Sequence, residues 1–128
     1  MQKRPPILSV VLCLTLLANL APVAAAESEA VQTMARILSS LNHFPSDAEK
    51  ATLQTLVASK ATSAQERVIA QALSNVEHAA TPGDKARLQM LIDDASVPVS
   101  LRTLATIIFK VNHFPTAADK AQLQKLLE

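Results

Sequence analysis

The chain of 128 residues has no Trp, no Tyr, a single Gly and a single Cys, and each shortage removes a class of explanation. Aromatic residues make up only 2% of the sequence and Trp and Tyr are absent, which speaks against stacking on nucleic-acid bases and against an interfacial membrane belt. With Gly83 as its one glycine, it has no Gly-rich phosphate loop. Cys13 lies inside an apolar run behind the bulky Leu12, where a lipidated cysteine would follow a small residue. No other cysteine exists, so neither disulfides nor thiolate metal sites can staple the fold, and helix packing must hold it together. Also missing are H-E-x-x-H, G-x-S-x-G and C-x-x-C-H, the signatures of zinc proteases, serine hydrolases and covalent haem attachment. The chain is therefore expected to be no enzyme and to need no cofactor.

The first residues read as an export signal. Lys3 and Arg4 supply positive charge, Ile7 to Leu20 form an apolar run, and Ala24, Ala25 and Ala26 supply small residues for cleavage near Ala26. Ile7 to Ala26 is long enough to span a bilayer if retained, but Pro22 and the small residues behind it favour processing and no lasting membrane insertion. Removal of residues 1–26 leaves 102 of the 128 as a single domain, 27–128. Of 12 basic residues 10 then remain against 11 acidic ones, a formal charge of −1. That balance argues against nucleic acid, whose phosphates need a basic excess. A periplasmic or secreted location is expected, with the periplasm favoured because small secreted domains usually carry disulfides.

What the sequence does have is a recurrence. Asn42-His43-Phe44-Pro45 returns as Asn112-His113-Phe114-Pro115, and His78 lies 35 residues from both histidines. The same register carries Lys50, Lys85 and Lys120, then Leu53, Leu88 and Leu123, then Gln54, Gln89 and Gln124, with Ala35, Ala70 and Ala105 upstream. Self-similarity at such a period indicates tandem structural units, here near 27–58, 59–93 and 94–128. In the first half of each unit Met34, Leu38 and Leu41 correspond to Ile69, Leu73 and Val76 and to Leu104, Ile108 and Val111, an i, i+4, i+7 stripe that predicts a helix with one buried face. In the second half Leu53, Leu56 and Val57 correspond to Leu88, Leu91 and Ile92 and to Leu123, Leu126 and Leu127, again at helical spacing.

Between the halves stand Ser46 to Glu49, Thr81 to Asp84 and Thr116 to Asp119. Each is a hydroxyl followed three residues later by an acid, the signature of a capping box. The fold class is all-α: three tandem 35-residue helix-turn-helix repeats with helices near 28–41, 46–58, 63–77, 82–93, 97–111 and 116–127. They form a short solenoid or a compact bundle. Tetratricopeptide repeats are also helix pairs, but their aromatic and glycine positions are missing here, so nothing is carried over from them.

His43, His78 and His113 are the sharpest candidates. As metal ligands they would hold zinc or copper by imidazole nitrogens, and as proton sensors they would change charge between about pH 5 and 8. The competing structural role is that each closes the carbonyl end of its own first helix. In an extended stack equivalent residues lie too far apart to share one ion, and only a closed bundle brings them together. Phe44 and Phe114 are expected to plug the core at the corners, with partner anchoring as the alternative. The middle unit has Ala79-Ala80 there, as if its corner were crowded. Lys50, Lys85 and Lys120 with Gln54, Gln89 and Gln124 form a polar ridge that is either a solvated face or a ligand track. The expected function is non-enzymatic binding of a periplasmic protein or peptide; the alternative is a metal- or pH-responsive protein acting through the three histidines.

Overall fold

The structure is a computed structural model that describes residues 26–128, so the expected export signal and Cys13 lie outside the described residues. Six helices follow one another: α1 (Glu29–Ser39), α2 (Asp47–Ala58), α3 (Ala64–Ser74), α4 (Pro82–Asp93), α5 (Val99–Lys110) and α6 (Ala117–Lys125), with no strand among the described residues. None of them is long and apolar enough to cross a membrane.

Local chemistry sets the helix starts. Ser46, Ser63 and Thr116 each accept the N–H of the residue three positions on, and Glu49, Glu66 and Asp119 bond back to the cap backbone. Each box satisfies two of the four N–H groups that a helix start leaves unpaired. At α4, Thr81 caps Asp84 N–H in the same way and Pro82 takes the first helical position, where its missing N–H costs nothing. Some ends differ from the expected ones: α1 and α3 stop at Ser39 and Ser74 rather than near 41 and 77, and α6 at Lys125 rather than near 127. The start of α5 is later than expected: Pro98 caps it without a side-chain bond, and Asp94 folds the linker by accepting the backbone and hydroxyl of Ser96.

The arrangement is compact, with α1, α3 and α5 inside, each touching the other two. Outside them α2 packs on α3, α4 on α5 and α6 back on α1, so the last helix closes on the first. Ala35, Ala70 and Ala105 are 0% exposed; with only a methyl group each, they let the inner helices approach closely. Around them Met34, Leu38, Ile69, Leu73, Leu104 and Ile108 are equally inaccessible. Each outer helix contributes one fully buried side chain, Leu53, Leu88 or Leu123, worth about 1.5–3 kcal/mol each by removal from water. The rest of each outer apolar face, including Leu56, Leu91 and Leu126, is only half covered.

A polar tie joins the two helices of every hairpin. Ser40 Oγ donates to Glu49 at 3.1 Å, Asn75 Nδ2 to Asp84 at 2.9 Å, and Lys110 Nζ pairs with Asp119 at 3.1 Å. In each case the donor stands nine residues before the acid. Glu49 and Asp119 thus both cap the second helix and fasten the end of the first, Asp84 accepts the Thr81 hydroxyl instead of the cap backbone, and Asp84 and Asp119 are buried. Burial pushes the Asp119 carboxyl up, but hydrogen bonds from the Thr116 side chain and backbone and the contact with Lys110 outweigh it and hold the group below its ordinary value of 3.8.

A folded-state value below the unfolded one stabilises the protein in full above about pH 4 and loses that contribution as pH falls through the lower folded-state value. Asp119→Asn is therefore expected to cost about 1 kcal/mol or more near neutral pH and to flatten the loss of stability below pH 4, both readable from urea unfolding. A variant whose acid limb matches the parent's would contradict this assignment.

Candidate metal centre

The corners between first and second helices are built alike. Leu41, Val76 and Val111 anchor the end of each first helix in the core. Two residues later come His43, His78 and His113, with φ of 71°, 67° and 67°, the only non-glycine residues at positive φ among those described. Pro45 and Pro115 then bury themselves and lead into the second helix. The left-handed turn leaves both main-chain polar groups of each histidine free to meet the other corners. His43 N–H donates to the His113 carbonyl, His113 N–H to that of His78, and His78 N–H to that of His43, each at 2.6 Å. A closed ring of three backbone hydrogen bonds results.

On this ring sit all three histidines of the chain. Their ring centres are 5.1, 5.0 and 4.9 Å apart, two pairs edge-to-face and one tilted. One nitrogen from each lies within 4.8 Å of the other two, and none of the three is buried. Zinc–imidazole bonds of about 2.0–2.1 Å on one face of a tetrahedron place nitrogens about 3.3 Å and ring centres about 5 Å apart. The ring spacing matches, and the nitrogens, all within 4.8 Å of one another, would have to close to about 3.3 Å by side-chain rotation to share an ion. Nδ1 of His43 lies 2.7 Å from Asn42 Oδ1, and Nδ1 of His113 lies 2.7 Å from Asn112 Oδ1. An amide oxygen can only accept, so an imidazole that carries its proton on Nδ1 would donate here and leave the Nε2 lone pair for a metal. In the middle corner Glu77 replaces the asparagine.

Several expectations change here. The histidines do not close the carbonyl ends of their own helices: the backbone N–H groups of Ser40 and Asn75 do so for α1 and α3. Phe44 and Phe114 do not plug the core, being 54% and 58% exposed at the rim of the histidine cluster. The buried prolines fill the corner, so the rings are left outside. Ala79 does not mark a crowded corner but lines an open groove. The Lys–Gln ridge is not uniform. Lys50 and Lys85 lie over the Phe44 and Phe109 rings, while Lys120 is exposed. Gln54 donates to Ser74 and Gln89 to Asp93, while Gln124 is exposed.

Beside the cluster a cavity of about 270 Å³ is lined by Phe44, Lys50, Glu77 and His78. Lys50 and Glu77 also line a groove of about 700 Å³ that continues past Ala79 toward Asn75, Thr81 and Pro82.

Holding a residue with a Cβ in the left-handed region costs about 1–2 kcal/mol, which glycine avoids. His78→Gly is accordingly expected to be more stable than His78→Ala by about 1 kcal/mol in thermal or urea unfolding. Equal stability of the two variants would show that the corner does not need this backbone conformation.

Comparison with described protein families, with curated proteins and with solved structures finds no match for the chain, so the reading of this site rests on its own residues.

Proposed function

We propose that this is an exported metal-binding protein that holds one zinc or copper ion through Nε2 of His43, His78 and His113. In this reading residues 27–128 form one domain of three tandem copies of a helical hairpin, closed so that equivalent corners meet on one axis. The leader is removed near Ala26, and the mature protein works in the periplasm or outside the cell. The function is binding rather than catalysis.

The observation that carries the reading is convergence. All of the chain's histidines come from positions 35 residues apart and meet with ring centres about 5 Å from one another. Each occupies a backbone conformation that glycine would adopt at lower cost, which favours a role for the side chain. Imidazole suits zinc, copper and nickel, and the cluster includes no thiolate or carboxylate ligand that would favour another class of ion. Two Asn–His contacts stand where outer-shell partners stand in metal sites, and would favour the Nδ1–H tautomer. Peptide binding also has support from the exposed Phe44 and Phe114 at the rim of the same cluster, and the two readings can share one face.

Calorimetric titration of the purified protein with Zn²⁺ is expected to give one ion per chain. The triple His→Gln variant should lose at least about 100-fold in affinity, and binding should weaken on acidification because protons compete for the same nitrogens. A triple variant that binds zinc as tightly as the parent, or a parent that binds none, overturns the proposal.

A further inference from the structure

Resting on the three-histidine metal reading, we infer that the bound ion keeps an open coordination position, and that a carboxylate from outside the chain fills it with Lys50 as its second contact. Three protein ligands leave a tetrahedral ion one position short. Zinc sites with three protein ligands are the type that takes an exogenous group, whereas structural sites are closed by four. Among the described His, Cys, Asp and Glu side chains, the group that could hold a metal here is the three histidines.

The surroundings say what the fourth ligand is. The cavity at His78 has Lys50 on one side and Phe44 as an apolar wall, with the ammonium 5.8 Å from the ring centre. A divalent ion and an ammonium facing one small space select an anion. Glu77 lines the same space and opposes groups of higher charge such as phosphate or sulfate, which favours a single negative charge. The Phe44 wall and the Ala79 floor of the adjoining groove suit a ligand with carbon attached. A carboxylate meets all three conditions: one oxygen on the metal, the other toward Lys50 Nζ, and its organic part along Phe44 or into the groove.

Two sources carry this chemistry, a free small acid and the C-terminus of a peptide. The groove extends from Lys50 and Glu77 past Ala79 to Thr81 and Pro82, with a volume of about 700 Å³. That falls in the range of pockets that enclose drug-sized ligands and gives several residues of an extended peptide a place to lie. Backbone-directed capture of a terminal carboxylate is a known mode of peptide recognition, and here the metal and Lys50 would perform it.

The test uses the purified protein loaded with Co²⁺, whose visible absorption reports coordination. An acetylated tripeptide with a free C-terminus is titrated in, then its C-terminal amide, then acetate. The free-acid peptide is expected to shift the spectrum and the amide to leave it unchanged. Under saturating Co²⁺, Lys50→Met should weaken the free-acid peptide about tenfold or more, while Lys60→Met, in the turn after α2 and outside both pocket linings, should not. Tighter binding of the peptide than of acetate identifies a peptide terminus as the source. Equal binding identifies a small acid, and either result supports carboxylate capture. Equal responses to acid and amide, or no response of a formed cobalt spectrum to any of the three, overturn this inference and leave the metal reading standing. Failure of the parent to develop a cobalt spectrum overturns both.

Discussion

Three main-chain hydrogen bonds, each from one histidine N–H to the carbonyl of another histidine, decide where the corners of this molecule sit. Helix packing brings the corners near one another, and the backbone hydrogen bonds then fix their relative positions, because such bonds weaken steeply outside a narrow range of distance and angle. The net gain of about 0.5–1.5 kcal/mol per hydrogen bond is similar in size to the left-handed strain of about 1–2 kcal/mol per histidine. The ring therefore adds little to overall stability. What it supplies is position, and the stability comes from the layer of buried Met, Ile and Leu beneath it.

Much of this was legible in the residues. The buried stripe at Met34, Leu38 and Leu41 and its counterparts follows from helical spacing, and Leu53, Leu88 and Leu123 lie fully inside as their register implies. Hydroxyls at Ser46, Thr81 and Thr116 announce the second helices because a cap is a contact over three residues and needs no tertiary information. Closure is different in kind. Whether α6 returns to α1 depends on the crossing angle between successive hairpins, and no local pattern encodes that angle. For the same reason the meeting of the three histidines could be stated only as a condition, one that a closed bundle would fulfil.

The polar ties had a signal that pattern reading passed over. Ser40, Asn75 and Lys110 are three unlike residues, so identity does not mark them as equivalent, yet each stands nine positions before the acid in the first turn of the second helix and donates to it. The phenylalanines misled for the opposite reason. An aromatic between a helix end and a proline suggests a core plug, but here the proline itself is buried and turns Phe44 and Phe114 outward beside the imidazoles. That exchange, made at two of the three corners, leaves one face that combines imidazole nitrogens, a lysine and apolar rings. The middle corner, with Glu77 and Ala79 in place of Asn and Phe, breaks the equivalence and gives the face its groove.

Amide hydrogen exchange of His43, His78 and His113 tests the ring most directly. Residues at exposed corners ordinarily exchange fast, whereas amides locked in the ring open only with the larger unit that holds them. The account predicts protection at all three comparable to that of core amides such as Leu38 and Leu73, lost together when one corner is disrupted. Rapid, independent exchange at the three positions would mean that the corners do not bond to one another, and the shared site would have no scaffold.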